Sequence, residues 1–546
     1  MKEKATPKDA AAVILLRENS PEVYLAQRNP KIPFLGGFHA FPGGKVDKED
    51  ARIEVENCAD AELAKFIVCA VRETFEEVGV LLVRGGDKIT KGQRASLRDD
   101  LISGRFSFAE ILETWGLRID AEDFSYTGFW TTPKFSPVRF KTRFFLAVCP
   151  RKQEPQVFGE FVAGEFIKPD DALNLWENSK ILISPPVLLT LQTLAEFEPQ
   201  RRGDAEKEIN RDGQDLQDKR ENAGIYQAAG HTSSAANSVS ASLRLCGEKL
   251  LSQSQKYDGR IRRVDFHPFI SCFPVRTETL PPATHTNCFI AGGREFVVID
   301  AASPFAEEQA ALHEYVDSLI ESGNVCRELI VTHLHRDHIL GVDALRNYLR
   351  EKYDLRVAVA AHKLTAESVK DSVEIERFIE DGEVFDLKID DAETLRLVAL
   401  HTPGHARGHL CFYDERRGFL LSGDNVLAAG SVLIAPPEGD MKDYLTSLER
   451  MKNLPGLRFL CGSHGAAVFD ARSKIEEYIA HRLEREKRIL RAIENGAKTI
   501  SEIVEQAYAD LPDAKLLPLA AKAVAAHLAK LSGEGVLERD LIKSEL

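Results

Sequence analysis

The sequence predicts an α+β chain built from several domains, and three observations predict it. Its 546 residues exceed the length at which one hydrophobic core keeps growing, so roughly two to four domains of ordinary size are expected. Short apolar runs of strand character alternate with amphipathic helical stretches on both sides of a polar segment at residues 199–257. From about Arg472 onward the pattern turns helical alone.

Taken in order, AAAVILL, VYLAQR, FSYTGFW and TRFFLAV read as strands, and AELAKFIVCAVRETFEEV reads as an amphipathic helix, which makes the first part mixed α and β. The polar segment holds PQRRGDAEKEINRDGQDLQDKREN and AAGHTSSAANSVSAS, with a helix expected near Leu243–Leu251; it reads as a linker. Beyond it CFIAGG, EFVVIDAA, ELIVTHL, VAVAAH, LRLVALHTPG, LCFYDERRGFLLSGD and LRFLCGSHG read as strands, several ending in histidine. The tail carries KIEEYIAHRLEREKRILRAIENG, TISEIVEQAY, LPLAAKAVAAHLAKLSGEG and VLERDLI as helices. A net charge of −14 argues against indiscriminate binding of nucleic acid, and 44% hydrophobic residues suffice for several cores. No apolar run approaches the length of a membrane span, and the start MKEKATPKDAAAVILLREN is too short for a signal peptide, so a cytoplasmic protein with no membrane partner is expected. The nine cysteines form no CxxC pair and read as reduced, buried residues.

The densest chemistry lies in VTHLHRDHILG, residues 331–341, where His333, His335, Asp337 and His338 follow an apolar run broken only by Glu328. Side chains two apart on a strand share a face, so His333 and His335 can address one ion. Asp337 and His338 come at the turn and can reach a second position. An isolated histidine is ordinarily a satisfied core or surface residue, but four metal-capable side chains at one strand end are not isolated. Downstream, His405 in HTPGHARGH, Asp424 in LLSGDNV and His464 in CGSHG each follow an apolar strand beside glycine, which lets the backbone turn sharply next to an ion.

In type and order these residues resemble the metallo-β-lactamase superfamily, and Asp300 in VVIDAASP matches that family's first structural motif. The resemblance implies an αββα sandwich with one zinc on His333, His335 and His405, a second on Asp337, His338 and His464, and Asp424 bridging them. It further implies hydrolysis by water activated between ions about 3.5–4 Å apart, with Asp337 as base or orienter and Asp300 supporting a loop beside the site. His409 is a candidate substrate contact, with a bland strand-adjacent role as the alternative. Imidazole and carboxylate ligands suit zinc, while ligand type alone leaves iron and manganese open. Asp424 and His464 stand only 40 positions apart, leaving no room for the inserted domain of the RNA-processing β-CASP branch. The absence of cysteine at position 424 argues against an antibiotic-degrading role. The tail resembles the winged-helix appendage of the β-lactamase-like protein 2 type, a group that includes a single-strand-selective endoribonuclease; the same ligand set also serves glyoxalase-type thioester hydrolases. Arg482, Arg485, Lys487, Arg488 and Arg491 offer charge for a phosphate backbone, although Glu484 and Glu486 interrupt them and a solvated helix face is the alternative.

A second constellation lies in AVRETFEEVGVLL, where Glu73, Glu76 and Glu77 at i, i+3 and i+4 share one helix face. Carboxylates so spaced favour solvation or a divalent cation. With FHAFPGGKVDKED before it, the stretch resembles the Nudix box, with departures: Gly44 and Arg72 stand 28 positions apart, about twice the usual spacing, position 50 is Asp rather than Glu, and Thr74 holds an aliphatic position. The inserted residues are expected to bulge outwards without moving the helix. The wider stretch, including FWTTPKFSPVRFKTRFFLAV, resembles the acyl-coenzyme A diphosphatase type of Nudix hydrolase. That implies Mg²⁺ or Mn²⁺ on Glu76 and Glu77, Glu73 as ligand or base, the Gly44 carbonyl as a further ligand, Arg72 orienting the glutamates and Arg28 meeting substrate phosphate.

The expectation is therefore a Nudix α/β/α sandwich at residues 8–198, a polar linker at 199–257, a metallo-β-lactamase αββα sandwich at 258–470 and a winged helix at 471–546. The function expected is a bifunctional hydrolase: a two-zinc site for a thioester or phosphodiester, and a Mg²⁺ or Mn²⁺ site for a nucleotide or coenzyme A-type diphosphate. The alternatives are single-stranded RNA as the substrate of the second site, and a Nudix half that binds a nucleotide without catalysis.

Overall fold

The structure is a computed structural model that describes residues 6–18, 20, 22–32, 35–133, 136, 138–196, 234–256, 262–281, 283–511 and 514–537. The chain divides into two compact units, Met1–Ile261 and Arg262–Leu546. Among the described residues no helix is long and apolar enough to cross a membrane. All nine cysteines are free thiols, eight of them buried.

The first unit is built on a seven-stranded sheet in which Lys8–Leu16 is central, antiparallel to Val23–Arg28 and Gly43–Lys45 and parallel to Phe140–Val148. Successive side chains of a strand face opposite sides, and both sides of Lys8–Leu16 are apolar. Ala11, Val13 and Leu15 join one core with Phe66, Ile67, Ala70, Val71 and Phe75 of the helix Ala61–Val78. Ala12, Ile14 and Leu16 join another with Ala172, Trp176, Leu188 and Leu191 from the helix Pro169–Glu177 and the helical residues 185–196. This is the expected α/β/α layering. Ala61–Val78 starts where the Asp60 side chain accepts the Glu62 and Leu63 N–H groups, and stops at Gly79 with φ 67°.

Two features depart from the sequence reading. The helix expected near Leu243–Leu251 runs from Ser234 to Lys256, and it is docked: Cys246 and Leu250 enter the second core, while Ser254 Oγ accepts the Phe129 N–H at 3.0 Å and donates to the Phe129 carbonyl at 2.8 Å. The end of the expected linker thus belongs to the first unit, and residues 197–233 lie outside the described residues. The insertion before Ala61 does not bulge free. Val55–Glu56 pairs in parallel with Ile119–Asp120, and Asn57 Nδ2 donates to Asp120 Oδ2 at 2.9 Å. Strand Phe161–Ile167, which has little apolar alternation, was not legible.

The second unit holds two sheets. The first runs Val264–His267, Ile270–Arg276, His285–Gly292, Glu295–Ile299, Val325–Val331, Ala358–Ala361 and Arg377–Phe378; the second runs Val384–Lys388, Thr394–His401, Leu410–Asp414, Phe419–Gly423 and Phe459–Gly462. Phe296, Val298, Leu329 and Val331 turn outward to the helices Ala306–Glu321 and Val342–Tyr353. On the second sheet Cys411, Tyr413 and Leu420 turn outward to Met441–Lys452 and Ala471–Glu494. The alternate residues are buried as well, and Phe385 meets Phe412 edge to face at 5.8 Å. The result is the helix–sheet–sheet–helix sandwich expected. Ile500–Ala507 and Leu517–Gly533 pack with the end of Ala471–Glu494 in a small helical core. Most of the VLERDLI segment lies outside the described residues.

Candidate active sites

The ligand-type residues of the second unit all sit just past the ends of strands drawn from both sheets. His333 follows Val325–Val331, and Asp337 and His338 lie in the one-turn helix Arg336–Ile339; His405, Asp424 and His464 follow Thr394–His401, Phe419–Gly423 and Phe459–Gly462. Their donor atoms fall into two sets within 4.8 Å: His333, His335, His405 and Asp424, and Asp337, His338 and His464. His335 Nδ1 stands 2.9 Å from both His333 Nε2 and His405 Nε2. Asp424 faces both sets, with Oδ2 at 3.6 Å from His405 Nε2 and 4.0 Å from His333 Nε2, and Oδ1 at 3.4 Å from His464 Nε2 and 3.6 Å from His338 Nε2. Asp337 Oδ2 lies 3.6 Å from His464 Nε2. All seven residues named from sequence as ligands therefore converge.

This donor set fits divalent cations. His338 Nε2 and Asp424 Oδ1 are buried without a hydrogen-bond partner, a costly state that a cation between the sets relieves. Four rings are anchored at the opposite nitrogen: His338 Nδ1 to Asp300 Oδ2 at 2.8 Å, His333 Nδ1 to Thr332 Oγ1 at 2.9 Å, His405 Nδ1 to the Leu433 carbonyl at 2.9 Å and His464 Nδ1 to the His285 carbonyl at 2.8 Å. Such anchors fix the tautomer that aims the free nitrogen inward. Burial opposes charge on His338, yet the carboxylates of Asp300, Asp424 and Asp337 outweigh it and raise its pKa well above the usual value. Burial would likewise raise Asp424, but His464 and His338 hold its carboxyl well below the ordinary range. Burial, then the neighbouring rings of His338 and His335, push His333 well down. Asp300 also accepts the Thr332 N–H at 2.8 Å and adopts φ 57°, so its support for the site runs through both His338 and the Thr332 turn.

In the first unit Arg72 gathers the acidic face. Its Nε and Nη2 bind the two oxygens of Asp50 at 2.8 and 3.0 Å, and Nη1 binds Glu73 at 2.9 Å and Glu76 at 3.1 Å. Asp50 is buried, so the shorter carboxylate at the box position reaches its arginine despite the insertion. Glu77 Oε2 accepts the Gly43 N–H at 2.8 Å. A Cβ on Gly44 would stand 2.4 Å from Glu73 Cδ, so only glycine admits that carboxylate. The Gly44 carbonyl lies 3.6 Å from the Cys69 thiol. Burial raises Glu77 to about 8, opposed by the Gly43 N–H and reinforced by Glu73; burial also raises Glu73 to about 7, with Arg72 opposing and Glu76 adding. The oxygen-only donors suit a hard divalent cation, but among the described residues the groups of three or more ligand atoms within 4.8 Å both lie in the second unit, so these glutamates are not gathered as the histidines are. Thr74 is buried and donates its hydroxyl to the Ala70 carbonyl at 2.7 Å, which is how it occupies an aliphatic position.

The structure bears on three further readings. His409 is wholly buried, its Nε2 accepting the Asp424 N–H at 3.0 Å, so it does not meet substrate. Arg28 influences Glu77 but its guanidinium binds Glu160 at 2.8 Å, so phosphate would have to compete for it. In the tail Arg482 is buried and donates to the Val432 carbonyl, while Arg485 and Arg488 bind Asp510 at 3.0 and 2.8 Å. Lys487 and Arg491 alone of the five stay fully exposed, which is no continuous basic stripe. Residue type offers no signal for the carbonyl anchors at Leu433 and His285, because any residue presents a backbone carbonyl.

Comparison with known proteins identifies the domains. The model of the metallo-beta-lactamase superfamily matches residues 281–464, that of the NUDT19 Nudix domain residues 53–194, and that of the beta-lactamase associated winged helix domain residues 499–542. A beta-lactamase-like protein 2 homolog of Caenorhabditis elegans is 31% identical over 255 residues, 46% of this chain and 80% of that protein. An atrochrysone carboxyl ACP thioesterase of Claviceps purpurea is 30% identical over 246 residues, 43% of this chain and 70% of that protein. The solved structure of a NUDIX hydrolase from Alicyclobacillus acidocaldarius is 30% identical, covering 35% of this chain and 91% of its own, with a TM-score of 0.30.

Proposed function

Because the chain belongs to the metallo-β-lactamase superfamily, with that family's winged helix behind the fold and a Nudix domain ahead of it, we propose that it is a bifunctional hydrolase of carrier-bound acyl thioesters. The second unit cleaves the thioester and the first cleaves a coenzyme A-type or nucleoside diphosphate. The observation that carries the two-metal reading is Asp424, whose two oxygens face two separate sets of donors. On this reading His333, His335 and His405 hold one zinc and Asp337, His338 and His464 the other. Glu76 and Glu77 hold Mg²⁺ or Mn²⁺. The chemistry that paired divalent ions supply when bound is acidification of a water to near-neutral pKa and polarisation of the scissile carbonyl.

The residues do the rest. Asp337, at the edge of the second set, takes a proton from the attacking water and orients it. Asp300, Leu433 and His285 keep the imidazoles from rotating as charge develops. Support for an acyl thioester comes from the thioesterase among the relatives and from Arg336 and Arg407, both exposed beside ligand residues and without a side-chain ion pair among the described residues. They suit the phosphate of a pantetheine carrier. Burial of Arg482 and Arg485 weighs against RNA on the tail. In the first unit Glu73 accepts the proton of the water that attacks the diphosphate.

The test is a parallel screen of acyl-coenzyme A thioesters, nucleoside diphosphate conjugates and single-stranded RNA on the full chain, with Asp424→Asn and the pair Glu76→Gln, Glu77→Gln as controls. Thioester hydrolysis lost only in the first variant, and diphosphate hydrolysis lost only in the second, is expected. RNA cleavage abolished by Asp424→Asn, without thioester turnover, would replace the thioester reading. Absence of diphosphate hydrolysis with Mg²⁺ would make the Nudix half a binding module.

A further inference from the structure

Behind Asp424 the chain closes a hydrogen-bonded circuit that the mechanism above does not use. The Asp424 N–H donates to His409 Nε2 at 3.0 Å. An imidazole that accepts at Nε2 is neutral and carries its proton on Nδ1, and Nδ1 lies 3.0 Å from Thr402 Oγ1. The Thr402 hydroxyl lies 3.1 Å from Cys411 Sγ, and the Cys411 thiol donates to the Ser422 carbonyl at 3.3 Å. Asn425 Nδ2 lies 3.2 Å from the same Nδ1 and donates to the Thr402 carbonyl at 2.9 Å, so with Nδ1 donating to Thr402 the chain of donors runs from Asp424 back to Ser422, two residues earlier. Thr402, His409, Cys411 and Ser422 are all wholly buried. The residue enclosed by the circuit is Gly423, at φ 53°, where a Cβ would stand 2.4 Å from His409 Nε2. Glycine is required there both for the left-handed backbone and for the close approach of the ring.

We propose that His409 is a positioning residue for the metal centre: through the Asp424 backbone it sets the turn that presents one carboxylate to both donor sets. It touches neither ion nor substrate. The Thr402–His409 loop also carries His405, since the Thr402 N–H donates to the His409 carbonyl at 2.9 Å, so one imidazole ties the bridging carboxylate to the loop of a terminal ligand. A fixed bridge matters because a carboxylate must meet two ions at once, and outer-shell partners of this kind are worth roughly 10–100-fold in metal affinity.

The inference rests on the two-metal reading, and the test separates the two. In the full chain, Zn²⁺ stoichiometry and affinity are measured by chelator competition, and the Co²⁺-substituted protein is read by its visible spectrum. His409→Leu, which keeps bulk but cannot accept, is expected to weaken the more loosely held ion 10–100-fold and alter the Co²⁺ bands. His409→Gln, whose amide oxygen can take the Nε2 position, is expected to restore both. Thr402→Val, which removes the hydroxyl that meets Nδ1 and Cys411 but leaves the imidazole, should weaken binding in the same direction and keeps the test open if His409→Leu does not fold. Wild-type stoichiometry and affinity in His409→Leu, or in Thr402→Val should the first not fold, would overturn the positioning role. Failure of the unmodified chain to bind two ions would overturn the two-metal reading itself.

Discussion

Metal binding to the first unit should release protons, and the number released follows from two buried glutamates. Burial holds Glu77 near about 8 and Glu73 near about 7, and a divalent cation requires both ionised. At pH 6.5 both carboxyls are mostly protonated, so binding one Mg²⁺ releases roughly one to two protons. At pH 9 both are mostly ionised and little is released. The apparent affinity should correspondingly rise roughly a hundredfold or more between pH 6 and pH 9. In the metal-free chain the sign is opposite. A raised carboxyl pKa contributes stability that is fully present below about 4.5 and is lost as pH rises through about 7 and 8. Titration calorimetry with Mg²⁺ in two buffers of different ionisation enthalpy counts the protons directly, and a variant with Asp424→Asn keeps the second unit from contributing. Release of fewer than about half a proton at pH 6.5 would refute the reasoning.

Other consequences are open to simple measurements. Asp50→Leu takes from the half-buried Arg72 the partner of Nε and one of the partners of Nη2, while Glu73, Glu76 and the Lys45 carbonyl remain, and should cost about 1–3 kcal/mol in the unfolding transition of the first unit, seen by denaturant titration; a loss below about 0.5 kcal/mol would contradict the pairing. Asp300→Ala frees His338 Nδ1 and Thr332, and chelator competition should show metal held about 10–100-fold more weakly. Arg485→Met should lower stability by about 1–3 kcal/mol, since the Ala507 carbonyl loses its side-chain donor and Asp510 keeps only Arg488, while leaving gel-shift binding of single-stranded RNA unchanged.

The metal ligands of the second unit were legible because they sit at strand ends, where apolar runs stop abruptly and a polar side chain is conspicuous. The same cue misplaced His409. It too ends a turn beside a strand, and only the packing of Gly423 against its ring shows that both nitrogens are consumed inside the protein. The arginines of the tail looked like surface charge because helical periodicity alone does not reveal that Arg482 and Arg485 face Tyr444 and Tyr508. In the first unit the helix Ala61–Val78 was legible from its apolar spacing, whereas its Asp60 cap emerged only in the structure. The docking of Ser234–Lys256 was not, because what holds it includes Ser254 on the backbone of Phe129, a contact with no signature in polarity.

The pairing of Val55–Glu56 with Ile119–Asp120 reaches beyond geometry. In an uninterrupted box the glycine loop and the glutamate helix adjoin in sequence and can assemble as soon as they are made. Here a clasp on the intervening segment comes from residues more than sixty positions later, so completing that junction waits on a non-local contact. Contacts of that kind are slow to form, and on a ribosome adding roughly 5–20 residues per second the wait lasts several seconds. The glutamates of the first unit should therefore reach their final arrangement only after the two helices between these strands, Lys91–Ile102 and Phe108–Trp115, have already been synthesised.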